Sequence, residues 1–153
     1  MILPDGNLLG ASDSVGAPII KGNPRGVAVR PPDYQDFGIR RRMTIQTPLS
    51  GKIIDAGMSQ LGKPFDHAAL QEFLSDKFPG LRNWRDPAAW FCAELCTWSF
   101  ETGGYWFPST LAWPKNLVSP TDQLLLFMMD ANWADRDIFW DPVPGLKLGA
   151  GEH

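Results

Sequence analysis

The sequence predicts an α+β fold in which a small antiparallel sheet packs against helices. Two observations carry this prediction. Strand-like patterns crowd into the first 46 residues, and helical spacing takes over from Thr47 onward. No helical stretch separates the early strands, so the crossovers a parallel sheet requires are missing and antiparallel pairing is expected. At 153 residues, 44% hydrophobic and 20% charged, the chain has the size and balance of one globular domain with a buried core. That domain is expected over residues 1–141, with 142–153 as a mobile tail.

The elements follow in order. Met1–Leu3 and Asn7–Ala11 flank Pro4-Asp5-Gly6, a turn because Asp-Gly tolerates positive φ. Residues 11–25 are rich in Gly, Pro, Ser and Asn and read as an exposed loop. Gly26–Arg30 alternates as a strand and Pro31-Pro32-Asp33-Tyr34 ends it in a helical turn; Ile39–Ile45 alternates again. Thr47 is placed to cap a helix that Pro48 opens and Gly62 closes, with Leu49, Ile53, Ile54, Met58 and Leu61 at helical spacing. Asp66 caps a second helix from His67 to about Phe78. Asp86-Pro87 opens a third, running through Trp90, Cys92, Cys96 and Phe100 to Gly103-Gly104. Ser119–Asp122 caps a short fourth helix over Gln123–Met129, and Asp137–Trp140 returns as a strand.

Composition excludes several function classes. Two Cys cannot build a disulfide framework, and two Cys with two His lack the paired spacing of a zinc module. Cys92, Cys96 and His67 together would supply three ligands where structural zinc takes four, so no metal or other cofactor is expected. A net charge of −3 argues against nucleic acid or an anionic membrane as partner. The longest apolar run, Leu124–Met129, is too short to span a bilayer. The N-terminus lacks the basic start of a signal peptide, which points to a cytoplasmic or virion-associated protein.

Chemistry points to Cys92. It stands near the start of a helix, where free N–H groups and the helix dipole favour a thiolate and where its own N–H can meet an oxyanion. The alternative is structural: Cys92 and Cys96, four residues apart, lie on one stripe with Phe100 and serve as small core hydrophobes.

Three short motifs stand in order: Gly62-Lys63-Pro64-Phe65-Asp66, Phe91-Cys92-Ala93-Glu94-Leu95 and Val118-Ser119-Pro120-Thr121-Asp122. Leu3–Ala11 and Gly26–Pro31 precede them. Together, over about residues 1–130, they resemble the circularly permuted papain-like hydrolases related to the NlpC-type cell-wall peptidases. The resemblance implies an α+β fold whose sheet packs on the helix bearing the cysteine. It implies Cys92 as nucleophile, Glu94 as the acidic residue two positions on, and Asp66 as the aspartate of the first motif. Phe65 stands where the family has tyrosine, and Ala93 where it has serine.

In permuted members the histidine lies on the first strand, upstream of the cysteine. Here it would fall at or before Met1, since no His precedes His67. Three readings stay open: the His is encoded just upstream, the domain is a catalytically dead scaffold, or His67 serves as the base. A positioned base contributes about a hundred- to ten-thousand-fold, so the choice decides activity.

All seven Trp lie in the second half. Trp90 and Trp98 read as core, whereas Tyr105, Trp106 and Trp113 sit in loop sequence. There they would line a groove for a peptide or cell-wall substrate, or bury against a protein partner. Arg40-Arg41-Arg42 reads as a charged strand edge. Two functions remain. One is a thiol hydrolase cleaving an amide, such as a peptidoglycan peptide, or an ester. The other is a non-catalytic structural component, such as a phage tail-tip protein, on the same fold.

Overall fold

A computed structural model describes residues 1–13, 18–34, 40–44, 47–74, 88–106, 118, 122–123, 125–126 and 135–141. Strands β1 (Leu8–Ser12), β2 (Lys21–Gly22), β3 (Gly26–Arg30) and β4 (Arg40–Thr44) come first. Helices α1 (Ser50–Met58), α2 (His67–Leu74) and α3 (Cys92–Thr102) follow, then β5 (Asp135–Asp141). A three-stranded antiparallel sheet in the order β1-β3-β2 and a set of helices make the arrangement α+β.

The first strand forms because residues 1–9 fold as a hairpin. Gly6 takes φ +85°, its N–H donates to the Leu3 carbonyl at 2.9 Å, and Leu9 N–H donates to the Met1 carbonyl at 2.8 Å. Met1–Leu3, expected as a strand, makes a single bridge from Ile2 to Leu8. The loop expected over residues 11–25 contains β2, whose Gly22 (φ +110°) passes too close to the Ala28 backbone for any side chain. Of the strand expected over Ile39–Ile45, Arg40–Thr44 form β4, which pairs with β5 in a second, two-stranded sheet, and Ile39 and Ile45 lie outside the described residues.

β3 is central, and every one of its residues is buried. Register explains how. Leu9 faces Val29 and Ala11 faces Val27, so these four share one sheet face. They form the main core with Trp90 and Leu95. Arg30 falls on the other face, 2% exposed. Its guanidinium donates to the carbonyls of Gly10 (3.1 Å), Pro24 (3.2 Å) and Gly26 (3.1 Å).

α1 and α3 start later than their expected caps suggest, whereas α2 begins at His67 as expected. Thr47 Oγ1 accepts the Leu49 N–H at 3.1 Å, but this closes a turn ahead of α1, whose N-cap is Leu49 without a side-chain cap. At the far end Ser59 caps α1, and further turns run on to Gly62 at φ +89°. α3 begins at Cys92 rather than near Pro87, because Phe91 is extended (φ −99°, ψ 167°); residues 81–87 lie outside the described residues. So do most of the fourth helix expected over Gln123–Met129, where 122–123 and 125–126 are helical, and all of 142–153. Among the described residues no helix is long and apolar enough to cross a membrane.

α1 and α3 pack closely through two glycines. A Cβ on Gly57 would meet Leu9 Cδ2 at 2.9 Å and Ser99 Oγ at 3.1 Å, and one on Gly103 would meet Ile53 Cα and N at 2.7 Å. Gly103→Ala is therefore expected to destabilise the protein by about 1–3 kcal/mol, since the clash is with backbone that cannot rotate away. A urea midpoint equal to wild type would show that the helices separate at no cost.

Candidate active site

Cys92 is positioned by a chain of backbone bonds from the sheet. Gly62 N–H donates to the Val27 carbonyl (3.0 Å) and Val27 N–H to the Lys63 carbonyl (2.8 Å). Phe65 N–H donates to the Arg25 carbonyl at 2.9 Å, fixing residues 62–65 beside β3. The same segment then grips Trp90: Trp90 N–H donates to the Pro64 carbonyl at 3.1 Å, and Asp66 N–H to the Trp90 carbonyl at 3.0 Å. Two residues after Trp90, α3 begins with Cys92.

Cys92 is the first residue of α3 and is a solvent-exposed residue. It opens on a cleft of about 290 Å³ that runs along the β1 edge, with Leu8, Gly10, Arg30, Tyr34 and Gln123 also in its walls. Leu9 exchanges both backbone bonds with Met1, whose ammonium donates to the Leu9 carbonyl at 2.6 Å. Ala11, two residues on, therefore turns its N–H and C=O toward the same edge.

Although the residue is exposed, the protein around the sulfur displaces enough water to push the Cys92 thiol up. The N–H groups of Ala93 and Cys92 and the Met1 ammonium pull it back in part. Desolvation wins, and at neutral pH the resting group is a thiol. Cys96, one turn on, is more enclosed; burial pushes its thiol up too, against the Met1 ammonium and a hydrogen bond from Gln123.

The other expected site residues do not line this cleft. His67 Nε2 lies 3.3 Å from Asp13 Oδ1, with both side chains about half exposed (56% and 46%), and its ring stands edge-on to Phe65 at 5.2 Å. Asp66 is buried and caps α2, its Oδ1 accepting the Ala69 N–H at 2.8 Å. Glu94 is fully buried, about 200° around the helix from Cys92. Among the described residues no cluster of His, Cys, Asp and Glu is placed to hold a metal ion. Comparisons with protein-family models, with curated proteins and with solved structures found no match.

The loop aromatics divide. Tyr105 is 7% exposed and packs with Ile53 in a second core cluster, edge-on to Phe100 at 5.7 Å. Its N–H donates to the Phe100 carbonyl, which folds it back under α3, so it does not present a docking surface. Trp106 beside it is 60% exposed, and Trp113 lies outside the described residues. Arg30, Tyr34 and Gln123 were not singled out in the sequence. Only Arg30 carried a signal, a charge ending an otherwise apolar strand.

Two outcomes follow from this geometry. Alkylation of Cys92 by iodoacetamide should outpace that of Cys96. Because its thiol is pushed up, the rate should climb about tenfold per unit from pH 7 to 8.5 without levelling; a plateau near neutrality, read by mass spectrometry, would reveal a stabilised thiolate instead. Asp66→Ala should cost about 1 kcal/mol in a urea melt and Asp66→Asn much less. Equal losses in the two would mean that the charge of Asp66, not its cap, is what counts.

Proposed function

We propose that this chain is a circularly permuted papain-like thiol hydrolase domain, with Cys92 as the acyl-accepting nucleophile. The observation that carries the reading is the placement of Cys92: first residue of an eleven-residue helix, exposed, and opening on a cleft beside a sheet edge. Sγ attacks the carbonyl carbon of an amide or ester, forming a thioester as the C–N or C–O bond breaks. The thiol proton leaves with the amine or alcohol. Water then hydrolyses the thioester, releasing the acid and restoring the thiol. First-turn N–H groups of α3, which have no side-chain cap, are placed to stabilise the oxyanion. The Ala11 edge suits an extended peptide, including one from a cell wall.

The base is the open part of this mechanism. His67 is engaged at the surface by Asp13. Met1 lines the same cleft as Cys92, and the family resemblance puts the histidine at or before Met1. This supports an imidazole contributed from that position over one from His67. A second reading, a structural component such as a phage tail-tip protein, draws on the exposed Trp106 as a protein-docking side chain.

Chemical rescue separates the two. A thiol-reactive acyl ester at pH 7 is expected to label Cys92 in preference to Cys96, and added imidazole should raise that rate at least about tenfold. Cys92→Ala removes the signal. Labelling no faster than a small free thiol, with and without imidazole, overturns the hydrolase reading.

A further inference from the structure

We propose that the Cys92 cleft selects acyl compounds bearing a carboxylate remote from the reacting carbonyl, with Arg30 supplying the attraction. The inference rests on Cys92 being the nucleophile and adds the substrate's charge.

Arg30 is 2% exposed and is one of the residues lining the cleft. Both fork nitrogens donate to carbonyl oxygens, one to Gly10 and the other to Asn23, Pro24 and Gly26. Carbonyls satisfy the donors but carry no net charge, so the full positive charge remains. Nε is buried without a hydrogen-bond partner. Among the described residues no carboxylate pairs with Arg30, and no Asp or Glu lines the cleft. Burial pulls the guanidinium below its ordinary range, opposed in part by Tyr34, whose ring lies 5.4 Å from the guanidinium carbon.

A buried cation without a counter-charge is costly unless a bound anion supplies one. The cleft offers the place. It passes over the β1 edge from Cys92 and the uncapped first turn of α3 to Leu8, Gly10 and Arg30, and Arg30 pairs directly with Leu8 in the sheet. The two ends are both electropositive and the walls between them are largely apolar, including Leu8, Leu9 and Leu95. An acyl group thus enters with its carbonyl at Cys92 and its carboxylate toward Arg30, where low local dielectric strengthens the attraction.

The test uses the intact chain and two thiol reagents of equal reach, 3-maleimidopropionate and its neutral amide. For wild type at low salt, the acid-to-amide rate ratio at Cys92 is expected to exceed that of a small neutral thiol by roughly threefold to tenfold, and to fall toward it in 0.5 M salt. Butyrate, but not butyramide, should slow labelling by the neutral reagent. Arg30→Gln, checked for folding by its urea melt, should return the ratio to that of the small thiol. A wild-type ratio no greater than that of the small thiol overturns the proposal. So does an Arg30→Gln ratio unchanged from wild type, which would assign the field to the helix terminus and the Met1 ammonium. If Arg30→Gln fails to fold, the wild-type ratio together with butyrate protection decides. Failure of both reagents to label Cys92 faster than Cys96 would instead remove the nucleophile itself.

Discussion

The position of Cys92 depends on one short backbone splice, Gly62–Asp66, which is tied to β3 on one side and to Trp90 on the other. Gly26 must lack a side chain for this to happen, since a Cβ there would collide with the Lys63 carbonyl and Pro64. Five backbone hydrogen bonds cross the splice, together on the order of 5 kcal/mol if each contributes about 1 kcal/mol net. Lys63 adds a contact from above, its ammonium 5.6 Å from the Trp90 ring centre. Trp90 is held by its backbone, by Gln60, which accepts its indole N–H at 3.2 Å, and by Trp98 at 5.0 Å. An extended step at Phe91 then leads into α3. The start of the helix, and so the exposure of Cys92, follows from a sheet contact nearly thirty residues upstream.

This assigns the first motif a different job from the one its acidic residue suggests. Asp66 spends its backbone N–H on Trp90 and one carboxylate oxygen on the start of α2. Both interactions hold the frame around Cys92, and neither reaches the sulfur. Pro64 fits the same role, because it has no N–H to satisfy and contributes only the carbonyl that Trp90 needs. In this segment the residues with reactive side chains are structural. Whatever polarity the thiol feels comes from backbone N–H groups and from charges across the cleft.

How much of this the sequence disclosed depended on whether local or distant interactions decide an element. Gly26–Arg30 was legible to the residue, because Val27 and Val29 alternate toward the core. The end of α3 was legible as well, since Gly103 sits at its C-cap. The Asp5-Gly6 turn was local too, reinforced when the Asp5 carboxylate accepts two bonds from Asn7. The start of α3 was not, because nothing between Asp86 and Cys92 marks the extended residue that Trp90's pairing imposes. β2 was missed for the same reason: Lys21 and Gly22 are both exposed and have no apolar pattern, only a neighbour with free edge groups. At the site, Cys92 could be found from its motif. The cleft opposite it could not, because Arg30 lies 62 residues away in the chain and reaches the same hollow only through sheet pairing.

His67 shows why adjacency in sequence is a poor guide to a catalytic pair. It follows Asp66 directly, but Asp66 turns inward to cap α2 while the next residue of a helix points about 100° away. His67 is thereby sent to the surface, where Asp13 and Phe65 are its neighbours. Cys92, by contrast, is reached from β1: Leu8, Leu9, Gly10 and Ala11 all contribute to its cleft. Met1 lies on this side, and Ala11 turns its backbone toward it. The N-terminal hairpin thereby forms one wall of the cleft on which Cys92 opens, opposite the splice that places the cysteine.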